Sequence, residues 1–167
     1  IARMDDDDIS MANRFALQVD FLDKKKEVAL CGTLGEIINE QGEVIGQKKI
    51  AVGYDKIKKK LLFNNQFLHS SLMIRKSVLE KEGFYNENFK KAQDYELVLR
   101  IASRHKVENI NQKLVQWRFL KTSLSNKGRQ QQKYAILARW LAITKYNYPK
   151  LFGLFHIFLR AIKICLP

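Results

Sequence analysis

Four consecutive aspartates, Asp5 to Asp8, follow a short run with strand character at the start of the chain. These four aspartates end the extended run. Side chains alternate along an extended segment, which puts Asp5 and Asp7 on one face, where they can converge on a single divalent cation. Magnesium or manganese held by one or two carboxylates keeps open positions for substrate phosphates. Such an ion acts as a Lewis acid on a leaving diphosphate. The same quartet also suits the dipole of a following helix or a solvated turn, and an acidic run of this kind can be a cloning remnant.

A length of 167 residues suits one domain, or one with a short appendage, and 46% hydrophobic with 28% charged residues excludes disorder and collagen-like repeats. The net charge of +13 asks for an anionic partner: nucleic acid, a membrane surface or a phosphorylated ligand. Its distribution is uneven. Residues 1–50 carry seven Lys/Arg and ten Asp/Glu, residues 51–167 carry twenty-three and seven, and beyond Glu108 eleven Lys/Arg stand with no carboxylate. Cys31 and Cys165 are far apart and lack ligand spacing, which fits a reducing compartment better than a disulfide scaffold. No signal-peptide pattern opens the chain and Ile1 is not an initiator, so a fragment beginning in mid-fold is expected.

Ser10 is placed to cap a helix over 11–24 with Ala12, Phe15, Val19 and Leu22 on one face. A strand is expected over 27–33, then a hairpin with arms 36–39 and 43–45 around Gln41-Gly42, then a basic connection over 48–60. Residues 70–74 read as a buried strand, and a helix over 76–82 stops at Gly83. Asp94 reads as the cap of a helix over 95–103 in which Glu96 pairs with Arg100. Strand character at 107–110 and 114–117 precedes a loop-like stretch over 119–132 and helices over 134–146 and 150–166. Strands alternating with helices indicate an α/β or α+β arrangement. Within the last helix Leu151 to Leu159, nine residues, is the longest stretch without Lys or Arg. A bilayer span needs about 20, so the helix is expected to be interfacial or partner-binding.

Several separated motifs carry a family resemblance: Ile1-Ala-Arg-Met-Asp-Asp-Asp-Asp-Ile-Ser with Asn13-Arg14 and Gln18-Val19-Asp20-Phe21-Leu22; Gly32-Thr33; His69-Ser70-Ser71-Leu72-Met73-Ile74-Arg75; Gly83-Phe84-Tyr85-Asn86-Glu87; Gln93-Asp94-Tyr95-Glu96-Leu97; and Trp117-Arg118. In this order, over roughly residues 1–125, they resemble the central and later part of the family 2 glycosyltransferases. The resemblance implies part of an A-type glycosyltransferase fold, a mixed sheet with flanking helices, plus C-terminal amphipathic helices. It also implies that the chain starts at the Asp-X-Asp strand, so that residues 1–125 form the acceptor side and need a nucleotide-binding half to take up the donor. Residues 126–167 are then a basic, membrane-associating tail.

On that resemblance Asp5 and Asp7 hold a magnesium or manganese ion bridging the diphosphate of a nucleotide-sugar donor. Asp94 is the base that takes the proton of an acceptor hydroxyl, with inversion at the anomeric carbon. From local sequence alone, Asp94 is a helix cap. Asp8, His69, Gln93 and Arg118 are candidates for contact with the diphosphate or the acceptor, Arg118 because a guanidinium matches phosphate oxygens; a structural salt bridge for Arg118 and a structural role for His69 are the plainer readings. Two positions depart from the family pattern: Gln93 replaces the usual acid before the base, and Leu120 stands where a histidine often follows the Trp117-Arg118 motif. The implied setting is bacterial cell-surface polysaccharide synthesis, with a saccharide or lipid-linked acceptor and an enzyme peripheral to the cytoplasmic face of the inner membrane. The alternatives are a basic module binding nucleic acid or an anionic membrane, and an inactive remnant of a split gene. No nucleic-acid motif accompanies the basic tail, which makes nucleic acid the weaker partner.

Overall fold

A computed structural model of the chain describes residues 1–120 and 128–165. The elements in chain order are β1 (Ile9–Ser10), α1 (Arg14–Lys24), β2 (Val28–Ile38), β3 (Val44–Gln47), α2 (Tyr54–Leu61), a 3-10 turn (His69–Ser71), β4 (Met73–Ile74), α3 (Lys76–Glu82), α4 (Gln93–Ala102), β5 (Lys106–Arg118), α5 (Arg129–Thr144) and α6 (Lys150–Cys165). Together they make the expected α/β arrangement, a mixed sheet flanked by helices.

The sheet runs β1-β5-β2-β3, with β4 also paired to β2. β2 and β5 lie parallel along most of their length, and β1, β3 and β4 are antiparallel to their neighbours. β2 begins Val28-Ala29-Leu30-Cys31 without a polar alternation, as befits a strand covered on both faces. Leu22 of α1 packs with Val28, Cys31 and Met73 in a small cluster. A larger cluster joins Leu30, Ile57, Leu61, Leu97, Leu99, Ile101 and Val107, and extends to Ala138, Ala142 and Ile143 of α5. The helices after residue 128 thus share the main core. Cys31 is a free thiol in this packing, and burial pushes it up to about 12 against the hydrogen bond from Gln18; the side chain of Cys165 lies outside the described residues.

Residues 1–3 add to the far edge of β4. Ala2 bridges Met73, the Arg3 N–H donates to the Leu72 carbonyl (2.8 Å) and the Ile74 N–H to the Ile1 carbonyl (2.9 Å). Since β4 is antiparallel to β2, residues 1–3 run parallel to β2 and β5. Asp5 to Asp8 therefore emerge at the carboxyl ends of parallel segments, where open α/β sheets place their ligands. The chain then crosses the sheet to pair Ile9 with Gln116 and Ser10 with Val115.

Several elements differ from their sequence expectation. Helix α1 starts at Arg14 with Asn13 at its cap position, because Ser10 is taken up in β1 and its hydroxyl accepts from Arg14 Nε (2.7 Å). The segment read as a basic connection contains α2, whose lysines point outward while Ile57 and Leu61, four apart, are buried. Of 70–74 only Met73–Ile74 is strand. The two strand signals at 107–110 and 114–117 are one strand, with register irregularities against β2 between them. Asp94 is not the cap of α4: that position is Ala92, at φ 55°, and Asp94 sits inside the first turn. The hairpin turn at Gln41-Gly42 is present, with Gly42 at φ 87°. So is the Glu96–Arg100 pair, at 3.0 Å with Glu96 fully buried. The boundary expected at 125/126 lies outside the described residues.

Gly153 marks the closest approach of α6 to α5: a Cβ there would stand 2.1 Å from Ile143 Cγ2. Ile143 is buried and β-branched, so it has little freedom to yield. Gly153→Ala is expected to cost about 1–3 kcal/mol by overpacking. A denaturant titration read by tryptophan fluorescence checks this, and an unchanged midpoint would refute the packing.

Candidate functional site

The acidic run is held by its neighbours in unequal ways. Asp5 accepts from Arg3 Nη2 (2.6 Å), from Ser70 Oγ (3.0 Å) and from His69 Nδ1 (3.1 Å), while its own N–H reaches Ser70 Oγ (3.3 Å). The hydrogen bond from His69 above all, then the charges of His69 and Arg3 and the Ser70 hydroxyl, hold its carboxyl below the usual range despite partial burial. On its other side, His69 Nε2 lies 2.9 Å from the Tyr85 hydroxyl, so the ring is held between Asp5 and Tyr85. Asp8 is set inward: it accepts from the Arg118 N–H (2.8 Å) and shares the one Ser70 hydroxyl proton with Asp5, and burial, reinforced by the charges of Asp7 and Asp5, raises its carboxyl above the usual value. Asp5 is thereby fixed as an anion and Asp8 is tied to the end of β5.

Arg118 does other work than its residue type suggests. Its Nε donates to the Asp7 carbonyl (2.9 Å) and its Nη1 to those of Asn39 (2.9 Å) and Glu40 (3.0 Å). It clamps the aspartate turn to the β2–β3 turn, with no carboxylate partner among the described residues.

Behind the run lies Arg14, fully buried at the start of α1. It donates to the carbonyls of Ser70 (2.6 Å) and Arg3 (3.3 Å) and to Ser10 Oγ, and its guanidinium lies 4.5 Å from the centre of the Phe15 ring. A buried cation satisfied by carbonyls fixes the spacing between the segment before Asp5 and the turn bearing His69 and Ser70.

A cleft of about 740 Å³ opens over this floor, lined by Asp5, Asp6, Asp7 and His69 on one side and by Gln93 and Asp94 on another. Asn65 Nδ2 donates to Asp94 Oδ2 (2.8 Å), and Asn65 Oδ1 accepts from the Phe67 N–H (3.1 Å), so the loop before the 3-10 turn orients the carboxylate. Lys48, Lys90 and Lys91 also line the cleft, and Lys48 Nζ lies 4.3 Å from the Trp117 ring centre. Acid and base are therefore juxtaposed, with a run of carboxylates and three lysines lining one cleft. Among the described residues no side-chain donor bonds the carboxylate of Asp6 or Asp7, and no three His, Cys, Asp or Glu side chains are grouped closely enough to hold a metal by themselves. Asp5 and Asp7 are the carboxylates here that could hold an ion with positions left open for a ligand, Asp7 without a side-chain donor on its carboxylate among the described residues and Asp5 shared with Arg3, His69 and Ser70.

The sequence-derived residues Asp5, Asp7, His69, Gln93 and Asp94 thus line one cleft, while Asp8 and Arg118 support its floor. Arg3, Asn65, Ser70 and Lys48 were not singled out. A signal existed for Arg3, which precedes Asp5 by two residues on an extended segment and so shares its face; the others meet the site only through tertiary contacts.

No protein-family model matches the chain. It is 34% identical over 138 residues, 81% of its length, to the O-antigen biosynthesis glycosyltransferase WbnJ of Escherichia coli, covering 51% of that protein. It is 32% identical over 111 residues, 66% of its length, to the amylovoran biosynthesis glycosyltransferase AmsE of Erwinia amylovora, covering 41% of it. It is 28% identical over 120 residues, 71% of its length, to the uncharacterized glycosyltransferase MJ1057 of Methanocaldococcus jannaschii, again covering 41%. The chain spans about half the length, or less, of these relatives.

Proposed function

We propose that this chain is the acceptor-side part of an inverting, metal-dependent glycosyltransferase of the family 2 type, acting in bacterial surface-polysaccharide synthesis from a nucleotide-sugar donor. The observation that carries the reading is the single cleft onto which the Asp5–Asp7 run and Asp94 both open. Similarity to proteins named for O-antigen and amylovoran biosynthesis supports the transferase class and the polymer class.

In this reading Asp5 and Asp7 hold the divalent cation, which when bound supplies positive charge to the donor diphosphate. Arg3, His69 and Ser70 keep Asp5 ionised and aimed. Asp94, with one oxygen held by Asn65, has the other to accept the proton of the acceptor hydroxyl as that oxygen attacks the anomeric carbon from the face opposite the diphosphate. The base lies in the first turn of α4, where the helix dipole favours negative charge. Gln93 beside it lacks the charge of a second acid and leaves Asp94, among the described residues, as the one carboxylate on this side of the cleft.

The test uses the full-length protein with a panel of nucleotide sugars and either manganese or a chelator. Nucleoside diphosphate release that depends on the ion, with inverted anomeric configuration in the product, is the expected outcome. Asp7→Asn is expected to weaken manganese binding, read by electron paramagnetic resonance, without loss of fold. Retained configuration, or equal turnover in chelator, would overturn the corresponding part of the proposal.

A further inference from the structure

We propose that the outer face of α6 is a docking surface for an anionic lipid bilayer, with the helix lying in the interfacial plane. This surface stands independently of the transferase reading. Helix α6 seats Gly153 against Ile143 of α5, and His156 between the rings of Phe63, Phe152 and Phe155. That inner contact turns the opposite side outward. Leu151, Phe155, Phe158 and Ile162 fall on one stripe at helical spacing and are 86%, 56%, 62% and 37% exposed, with Leu154 and Leu159 widening it. Scattered single apolar residues need no explanation, but a continuous stripe of this length does.

Charge identifies the occupant. From Asn109 onward the sequence contains no Asp or Glu, so every charged side chain that α5 and α6 themselves carry is positive. Lys133 and Lys145 are exposed on α5, as is Lys150 at the start of α6, and Trp140 of α5 is 49% exposed. An apolar stripe on a pair of helices that carry cations and no anions, with an exposed tryptophan on α5, matches the acyl and headgroup zones of an anionic leaflet. A second copy of the chain would bring like charges together, and a nucleic acid would meet a hydrocarbon face without donors. Sixteen residues of α6 span about 24 Å, short of a hydrocarbon core of about 30 Å. Among the described residues no helix is long and apolar enough to cross a membrane. Arg160 of α6 donates to Gln132 (3.3 Å), and Gln132 lines the cleft, so the docked helix is joined to the cleft rim.

Flotation of the full-length protein with vesicles of phosphatidylcholine alone, and of equal parts phosphatidylcholine and phosphatidylglycerol, tests the proposal. Co-flotation with the anionic vesicles at low salt, weakened at high salt, is expected. Phe155→Ser with Phe158→Ser is expected to lower the partition coefficient at least about tenfold. Lys133→Gln with Lys145→Gln is expected to lower it about tenfold or more on anionic vesicles only. These side chains are exposed, and an unchanged circular dichroism spectrum confirms that the variants fold. Failure of the wild-type protein to float, equal flotation on neutral vesicles, or flotation indifferent to the phenylalanine pair would overturn the proposal. So would a dimer dissociated by the phenylalanine pair, or retention of single-stranded DNA without flotation.

Discussion

Asp94→Asn is expected to lower the rate of glycosyl transfer by about 10²–10⁴-fold, the range for loss of a general base. The substitution preserves shape, and the Asn carbonyl oxygen can still accept from Asn65 Nδ2, so the 2.8 Å contact that orients the residue survives. What disappears is the capacity to take a proton. Asp94 lies in the first turn of α4, and losing its charge there is expected to cost less than about 1 kcal/mol. Stability and catalysis therefore separate. A loss confined to kcat, with donor KM and unfolding midpoint nearly unchanged, marks an interaction made only in the transition state. A variant retaining activity in proportion to its folded fraction would assign Asp94 to helix stability alone. Asn65→Ala sets a useful contrast: it frees the carboxylate without removing it and is expected to give a smaller loss, since a mobile base still accepts protons.

Which residues meet at this cleft is more legible in the sequence than the local structure that carries them. Asp5, Asp7 and Asp94 line one cleft, as the family resemblance of their motifs implies, whereas the contacts that hold them are tertiary. Asp94 reads as a cap because aspartate before an apolar helical pattern is the usual cap signal. The chain instead enters α4 through Ala92 in a left-handed conformation, a backbone choice no local propensity announces. Arg118 invites a phosphate contact by its type, yet the neighbouring β2–β3 turn presents two carbonyls to it first. Helix α2 is hidden by composition: Lys58 to Lys60 dominate the segment, and only the pair Ile57 and Leu61 carries the helical period. The amphipathic character of α6, by contrast, is plain in sequence, because an apolar stripe needs only its own helix for definition.

The largest effect on stability is expected at Arg14, a residue that takes no part in chemistry. Its fully buried guanidinium reaches no carboxylate among the described residues and is satisfied by the carbonyls of Ser70 and Arg3 and by the Ser10 hydroxyl. Arg14→Ala removes these donors together, leaves the Ser70 carbonyl buried without them, and opens a cavity beside the Phe15 ring. Such losses amount to about 3–5 kcal/mol. Arg14→Lys keeps the charge but offers one point donor where three groups are spread around a planar fork, so it is expected to recover only part of the loss. The consequence for function follows from which carbonyls are tied. The Arg3 carbonyl lies two residues before Asp5, and the Ser70 carbonyl belongs to the turn whose hydroxyl binds both Asp5 and Asp8. Loosening either lets the carboxylate floor drift relative to its histidine and serine partners. Arg14→Lys should therefore weaken manganese binding more than its loss of stability accounts for, measured where more than nine tenths of the protein remains folded. Equal metal affinity in Arg14→Lys and wild type would confine Arg14 to the fold and leave the floor braced by Arg3, His69, Ser70 and Arg118.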